Sequence, residues 1–362
     1  DAFPSEAAQA SLPDQVRVHR VLGQLQRVLE TMGRPTSLQT TEQGAYTGHL
    51  IRDGIMPVGD PPEAPLLASP ALVQIPVKTP IGSGFSGLVG GTPLIELSSL
   101  SEATGRRIVA KAEFLSPGGC QKDRVAKQII ADAESAGKLH PGATIFEGTS
   151  GSTGISLTLA AAAKGYKVHV VMPDDQAVEK VESLRRFGAD VTLVRPASIT
   201  SPSHYVNVAR RLAEEACGRP GPGAYFADQF ENTSNFRAHY SNTGPELWSQ
   251  CGQDLDAFVM SAGTGGTLAG VGRFLKEVSP GVHVCLADVQ GSSLYSKVVH
   301  GVLYAPEQQE RTVRRHRIDT IAEGIGLDRL TANFSSGLHD HNGGLPGIDA
   351  AVKVSDQEAL EM

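Results

Sequence analysis

Lys122 stands inside Ser116-Pro117-Gly118-Gly119-Cys120-Gln121-Lys122-Asp123-Arg124, where flanking glycines can hold a lysine at a helix start and aim it into a cleft. Two Gly/Ser/Thr segments lie downstream: Glu147-Gly148-Thr149-Ser150-Gly151-Ser152-Thr153-Gly154 and Ser261-Ala262-Gly263-Thr264-Gly265-Gly266-Thr267. Each sits where an apolar strand-like run gives way to an amphipathic helical run. Such junctions leave backbone N–H groups unpaired and pointing outward, which suits anions. A reactive amine and two anion cradles point to a carbonyl cofactor carrying a phosphate, with an amino-acid carboxylate as the second anion.

The chemistry needs an amine that is neutral at working pH, and burial in a cleft supplies this by disfavouring the ammonium. An ordinary surface lysine at a helix start is the competing reading. It is the weaker one, because a cation there opposes the helix dipole. In Gly263, Thr264, Gly265, Gly266 and Thr267, glycines let the backbone approach phosphate oxygens, hydroxyls donate, and a helix follows from Leu268. A plain turn would not need three glycines and two threonines in five residues.

The elements that must position these residues follow from periodicity. Strand-like runs fall at 94–97, 107–112, 144–146, 167–171, 191–194, 257–260 and 282–288. Helical runs fall at 124–136, 155–164, 178–187, 204–217 and 268–278. This alternation with short connections predicts an α/β fold with mainly parallel sheets covered by helices on both faces. Residues 11–33 read as one amphipathic helix, with Pro13 in its first turn and Gly33 as its stop. Seven prolines between Pro57 and Pro80 mark an extended linker. Gly82-Ser83-Gly84-Phe85-Ser86-Gly87 fits G-x-G-x-x-G but lacks the strand-then-helix context of a dinucleotide site. The first residue is Asp rather than Met, which implies that an upstream segment has been removed.

Composition excludes several classes. The 362 residues are 40 % hydrophobic and 20 % charged, an ordinary α/β balance sufficient for two domains. A net charge of −7 argues against a global attraction to nucleic acid or to an anionic membrane. The basic run Arg311-Thr312-Val313-Arg314-Arg315-His316-Arg317 reads as a solvated surface segment. The longest apolar run, about 155–163, is too short to span a bilayer. Cys120, Cys217, Cys251 and Cys285 show no C-x-x-C pairing, so neither a zinc site nor a disulfide framework is expected, and a reducing compartment fits. His339-Asp340-His341 lacks a third ligand, so these residues read as solvated loop histidines and no metal is expected.

The three loops also carry a family resemblance. Ser116 to Arg124 resembles Asn-Pro-Gly-Gly-Ser-x-Lys-Asp-Arg of the fold-type II pyridoxal-phosphate enzymes, specifically the cysteine synthase (O-acetylserine sulfhydrylase) and cystathionine β-synthase group. Thr149 to Gly154 is similar to Thr-Ser-Gly-Asn-Thr-Gly, and Gly263 to Thr267 to Gly-Thr-Gly-Gly-Thr. Gly91-Thr92-Pro93-Leu94, Asp228-Gln229-Phe230-Glu231-Asn232, Thr243-Gly244-Pro245-Glu246-Leu247-Trp248 and Glu323-Gly324-Ile325-Gly326 follow in family order. Any one motif is weak, whereas seven in order from about Gly87 onward are specific.

The resemblance implies two open sheets with the cofactor in the cleft between them, at the carboxyl ends of the strands. The implied organisation is an N-terminal helix and linker at 1–84, strands at 85–112 joining the larger domain, a smaller domain at 113–227 and the larger domain from 228 to 362. Lys122 would bond the pyridoxal 5'-phosphate, and Gly263, Thr264, Gly265, Gly266 and Thr267 would wrap its phosphate. Thr149, Ser150, Gly151, Thr153 and Gln229 would hold the substrate α-carboxylate, with Ser152 toward the cofactor ring. The implied activity is that of a transferase in cysteine biosynthesis, joining O-acetylserine or a similar β-substituted serine to sulfide. The expected state is a homodimer, cytoplasmic or mitochondrial.

Three departures from the family pattern stand out. Ser152 replaces an Asn, Cys120 replaces a Ser, and no serine turn follows Val354-Ser355-Asp356-Gln357-Glu358-Ala359, as though the C-terminus were cut short. Phe230-Glu231-Asn232 and the Thr243 segment look more like cysteine synthase than cystathionine β-synthase. Serine or threonine dehydratase is the next rival, and a catalytically impaired binding or regulatory protein is the non-enzyme alternative.

Overall fold

The structure, a computed structural model, describes residues 84–306, 318, 320–338 and 347–361. The expected helix at 11–33, the linker at 57–80, the basic run at 311–317 and His339 to His341 lie outside the described residues, as do Gly82 and Ser83.

Among the described residues, nine strands form three sheets. The four-stranded sheet is built from β3 (Thr144–Gly148), β4 (Lys167–Pro173), β5 (Asp190–Val194) and β6 (Ala224–Phe226), in the order β5-β4-β3-β6 and parallel throughout. Its two central strands are almost continuously buried, as a parallel sheet covered on both faces requires. The edge strand β5 is only partly buried. Strand β6 was not foreseen, because three residues after a Gly-Pro-Gly turn carry no readable period.

Helices α2 (Lys122–Ser135) and α3 (Ser152–Ala162) pack together beside this sheet. In α2 the buried Val125, Ala126, Ile129, Ile130 and Ala133 recur at helical spacing, which makes one apolar stripe. Ile129, Ile130, Ile145, Leu157, Met172 and Leu184 are fully buried. Each such side chain contributes about 1.5–3 kcal/mol relative to exposure. The same half carries α4 (Val178–Arg186) and α5 (Tyr205–Cys217).

The second parallel sheet runs β7 (Ala257–Met260), β8 (His283–Val289), β9 (Ala350–Val354). Its core gathers Leu268, Val284, Leu286, Leu294 and Phe334. The third sheet is an antiparallel pair, β1 (Leu94–Glu96) with β2 (Val109–Lys111), spaced by α1 (Ser98–Thr104). The sequence reading has these strands joining the larger domain. Among the described residues they pair only with each other, and the ties to the C-terminal half are side-chain packing of Leu94 beside Leu247, Trp248 and Val271 and the contacts of Lys111 with Glu246 and Gln250.

Strand order matters for function. From β3 the chain passes to β4 on one side, while β6 adds on the other. Ligands bind at such a switch point, outside the carboxyl ends of the strands. The loop after β3 starts at Thr149 and the loop after β6 contains Gln229, so the topology brings these two segments together.

Candidate active site

Lys122 opens α2, and the turn before it is held by Asp123. That buried carboxyl accepts the Gly118 N–H at 2.7 Å. A Cβ on Gly118 would lie 2.2 Å from the same carboxyl, so glycine and aspartate specify one another. Lys122 keeps some solvent access, yet the packing around its amine lowers its pKa by desolvation, against an opposing effect of Cys120. The amine has no hydrogen-bond or ion-pair partner among the described residues.

Two positions on, Arg124 is buried and joins three segments. Its guanidinium donates to both oxygens of Glu113 at 2.8 Å and to those of Glu246 at 2.8 and 3.0 Å. Glu246 lies in α7 (Gly244–Gln250) and also pairs with Lys111 at 2.5 Å. Thr92 donates its hydroxyl to Glu113 at 2.6 Å and receives Arg124 at 3.1 Å. Residues that the sequence offered as family motifs thus form a clamp behind the lysine.

The five-residue loop at Gly263 starts α8 (Gly266–Val278), with Gly265 in the left-handed region at φ 88. The sequence reading assigns its glycines to clearance for a phosphate. In the structure, protein fills the side of each glycine that a Cβ would take. A Cβ would meet the Gly324 carbonyl at 2.1 Å from Gly263, the Phe334 side chain at 2.4 Å from Gly265, and the Asn235 amide at 2.1 Å from Gly266. The glycines are required by neighbours on three sides, which fix the loop's path. The first-turn N–H groups of α8 have no side-chain cap and no intrahelical acceptor, so they remain available to an anion.

Two relays connect this loop to the rest of the site. Thr267 shares a hydrogen bond with His239 Nε2 at 3.1 Å, and His239 Nδ1 meets Thr243 at 3.0 Å. His239 lies on a π-helical turn (His239–Thr243) between α6 (Ser234–Ala238) and α7, a local form frequent at functional sites. Burial and then the Lys122 and Arg124 charges hold its pKa down to about 3, so it is a neutral imidazole. In the second relay, Asn235 donates to Thr264 at 2.8 Å and to the Gln229 carbonyl at 2.9 Å. The Gln229 side chain then accepts the Thr153 hydroxyl at 2.5 Å. A desolvated amine without a partner among the described residues, near an uncapped helix start, fits a carbonyl cofactor that bears a phosphate.

In the Thr149 loop, Thr149 and Thr153 are buried and Ser150 is half-buried. The Gly151 N–H is held by the Thr149 hydroxyl at 3.1 Å. Ser152, by contrast, is exposed at the start of α3 and makes no hydrogen bond among the described residues. Cys120 Sγ lies 3.9 Å from the Ser156 hydroxyl. Lys180 on α4 packs against Gly151 and pairs with Glu323 of the Glu-Gly-Ile-Gly segment, a tie across the two halves beside the loop. The sequence reading missed His239, Asn235, Glu147 and Thr331, whose hydroxyl donates to the Thr264 carbonyl at 2.7 Å. Single polar residues within short helices, strands or turns give no sequence signal. Among the described residues no group of three His, Cys, Asp or Glu could hold a metal ion.

The profile of the family described as pyridoxal-phosphate dependent enzyme matches residues 85–362, and the chain belongs to this family. Cysteine synthase 2 of Neurospora crassa is 52 % identical over 286 residues, covering 77 % of this chain and 61 % of that protein. Cysteine synthase 2 of Schizosaccharomyces pombe is 48 % identical over 287 residues, covering 78 % and 71 %. A cystathionine beta-synthase of Apis mellifera reaches 39 % over 275 residues, covering 75 % and 49 %. The crystal structure of an O-ureido-L-serine synthase aligns with a TM-score of 0.60 and 30 % identity, covering 76 % of this chain and 77 % of that one. The chain thus spans under two thirds of the Neurospora relative.

Proposed function

We propose that the chain catalyses pyridoxal-phosphate-dependent β-replacement, in which O-acetylserine or a similar β-substituted serine reacts with sulfide to give cysteine and the released β-group. The observation that carries this reading is the Lys122 amine, desolvated and without a partner beside the relay to Thr267. Relatives named cysteine synthase at 52 and 48 % identity support it over cystathionine synthesis, whose relative stands at 39 %. They equally favour it over dehydration or a non-enzymatic role.

Lys122 would hold the cofactor, with the α8 start and the Thr264 and Thr267 region at its phosphate and Ser152 toward its ring. When bound, the cofactor supplies the electron sink that acidifies a substrate α-proton. Lys122 would also serve as the general base for that proton, because its lowered pKa leaves the neutral amine accessible nearer to working pH. Thr149, Ser150, Gly151, Thr153 and Gln229 would orient the substrate carboxylate at the switch point. The division into domains at 113–227 and 228–362 is part of the same proposal.

Borohydride reduction followed by peptide mapping should fix the cofactor to Lys122, and Lys122→Ala should abolish both that label and cysteine formation. Labelling at Lys111 or Lys127 would overturn the assignment. Exposed Leu88, Phe114 and Leu115 support a homodimer, which subunit mass in solution tests. Among the described residues no helix is long and apolar enough to cross a membrane. A relative from Saccharomyces cerevisiae named putative mitochondrial cysteine synthase, 47 % identical, supports a mitochondrial setting.

A further inference from the structure

We propose that Glu147 is a positioning residue, which holds Gln229 in the geometry that binds an amino-acid substrate's carboxylate. This rests on the reading of the Thr149 loop and Gln229 given above. Glu147 is the fourth residue of β3 and is 1 % exposed. The β3–β6 ladder ends opposite it. Ala227 still donates to the Phe146 carbonyl at 2.9 Å, but the next residue, Asp228, turns into the left-handed region at φ 49. That turn takes the following N–H groups away from the strand carbonyls, and the Glu147 carboxyl receives them instead. Its Oε2 accepts the Gln229 N–H at 3.4 Å, and the Asp228 N–H and the Gln229 side chain also reach it.

The Gln229 amide is then fully oriented. Its oxygen accepts from Thr153, and its amide nitrogen donates to the Gly148 carbonyl at 3.3 Å and reaches the Glu147 carboxyl, so Glu147 also sets where the amide hydrogens point. Without an acceptor at Glu147 the backbone N–H groups of Asp228 and Gln229 would be buried unpaired, and the turn would relax.

The charge state matters as much as the geometry. Glu147 has no ion-pair partner among the described residues. Asp228, Tyr205 on α5 and Tyr225 on β6 surround it, while the nearby cations are engaged elsewhere: Arg210 with Asp228 and Arg329 with Glu231. Burial, and then the Asp228 charge, push the Glu147 carboxyl well above its ordinary range. The upward shift favours the protonated form, which keeps an acceptor oxygen while reducing negative charge beneath a bound carboxylate.

The test compares Glu147→Ala, Glu147→Asp, Glu147→Gln and Gln229→Ala in the full chain with its cofactor. The first readout is the Kd of L-alanine, which has no β-leaving group, measured from the cofactor's absorbance. The second is the KM of O-acetylserine against that of sulfide, which has no carboxylate. Glu147→Ala and the shortened Glu147→Asp should weaken L-alanine binding and raise the O-acetylserine KM by about tenfold to a hundredfold. The sulfide KM and cofactor retention should stay near wild type. Glu147→Gln, neutral and isosteric, should recover most of the lost affinity. Should the alanine variant fail to fold, the Asp and Gln variants carry the comparison. Unchanged L-alanine affinity in Glu147→Asp, alongside weakened binding in Gln229→Ala, overturns the role of Glu147. Parallel loss of cofactor and of both KM values overturns it too, by showing a merely structural residue. Unchanged binding in Gln229→Ala instead defeats the carboxylate-site reading, and this proposal with it.

Discussion

Replacing Arg124 by Met tests whether the clamp behind Lys122 holds the two halves together. The guanidinium is 4 % exposed and bonds two carboxylates from segments far apart in sequence. Removing one partner from a buried ion set costs about 3–5 kcal/mol, because the remaining charges are left uncompensated. Glu246 would retain Lys111 and the Gly91 N–H, so the lower end, about 3 kcal/mol, is expected at pH 7. The pH dependence gives a second handle. Burial would raise the Glu246 pKa, but its hydrogen bonds from Arg124 and Lys111 hold it down to about 2, against an ordinary 4.5. A shift of that size sets an upper bound of about 3 kcal/mol on the linkage, reduced by solvent screening because the carboxylate is partly exposed. The folded value is the depressed one, so the contribution is complete above pH 4.5 and is lost as pH falls toward 2. The gap between wild type and Arg124→Met should therefore shrink between pH 7 and pH 3. Trp248, the single tryptophan and two residues from Glu246, reports unfolding in urea by its fluorescence. A loss below about 1 kcal/mol at pH 7, or a gap independent of pH, would refute the clamp.

Gly265→Val should weaken cofactor retention far more than Gly301→Val, as read by the cofactor's absorbance after gel filtration. Both glycines have positive φ, but only a Cβ at Gly265 meets a neighbour, Phe334 at 2.4 Å. Equal retention would remove the loop from the site. His239→Gln should flatten the acid side of the stability profile. The imidazole's folded pKa, about 3, lies below its ordinary 6.5, so the wild type loses stability as pH falls from 6.5 toward 3. An unaltered profile in urea titrations would show that His239 is not the neutral group described.

The sequence carried what depends on local spacing. Alternating strand and helix periods fixed an α/β fold with parallel sheets, because side-chain burial repeats every two or 3.6 residues. The Gly-Gly-x-x-Lys turn and the two Gly/Ser/Thr loops announced an amine beside anion sites, since such residues at strand–helix junctions have few other uses. Tertiary structure decided which residues meet. Thr149 and Gln229 are 80 residues apart in number, and only the order β5-β4-β3-β6 puts their loops side by side. Arg124 looked like part of the lysine motif, yet its work is to bond Glu113 and Glu246. The glycines of Gly263 to Thr267 were readable as glycines, but the reason for them, contact with Gly324, Phe334 and Asn235, was not. In the sequence Glu147 is only the first residue of the Gly/Ser/Thr segment that follows the strand-like run at 144–146. Its burial without a cation, and so its raised pKa, follows only from the packing of Asp228 and Tyr205 around it, because desolvation depends on what the whole fold excludes from one point.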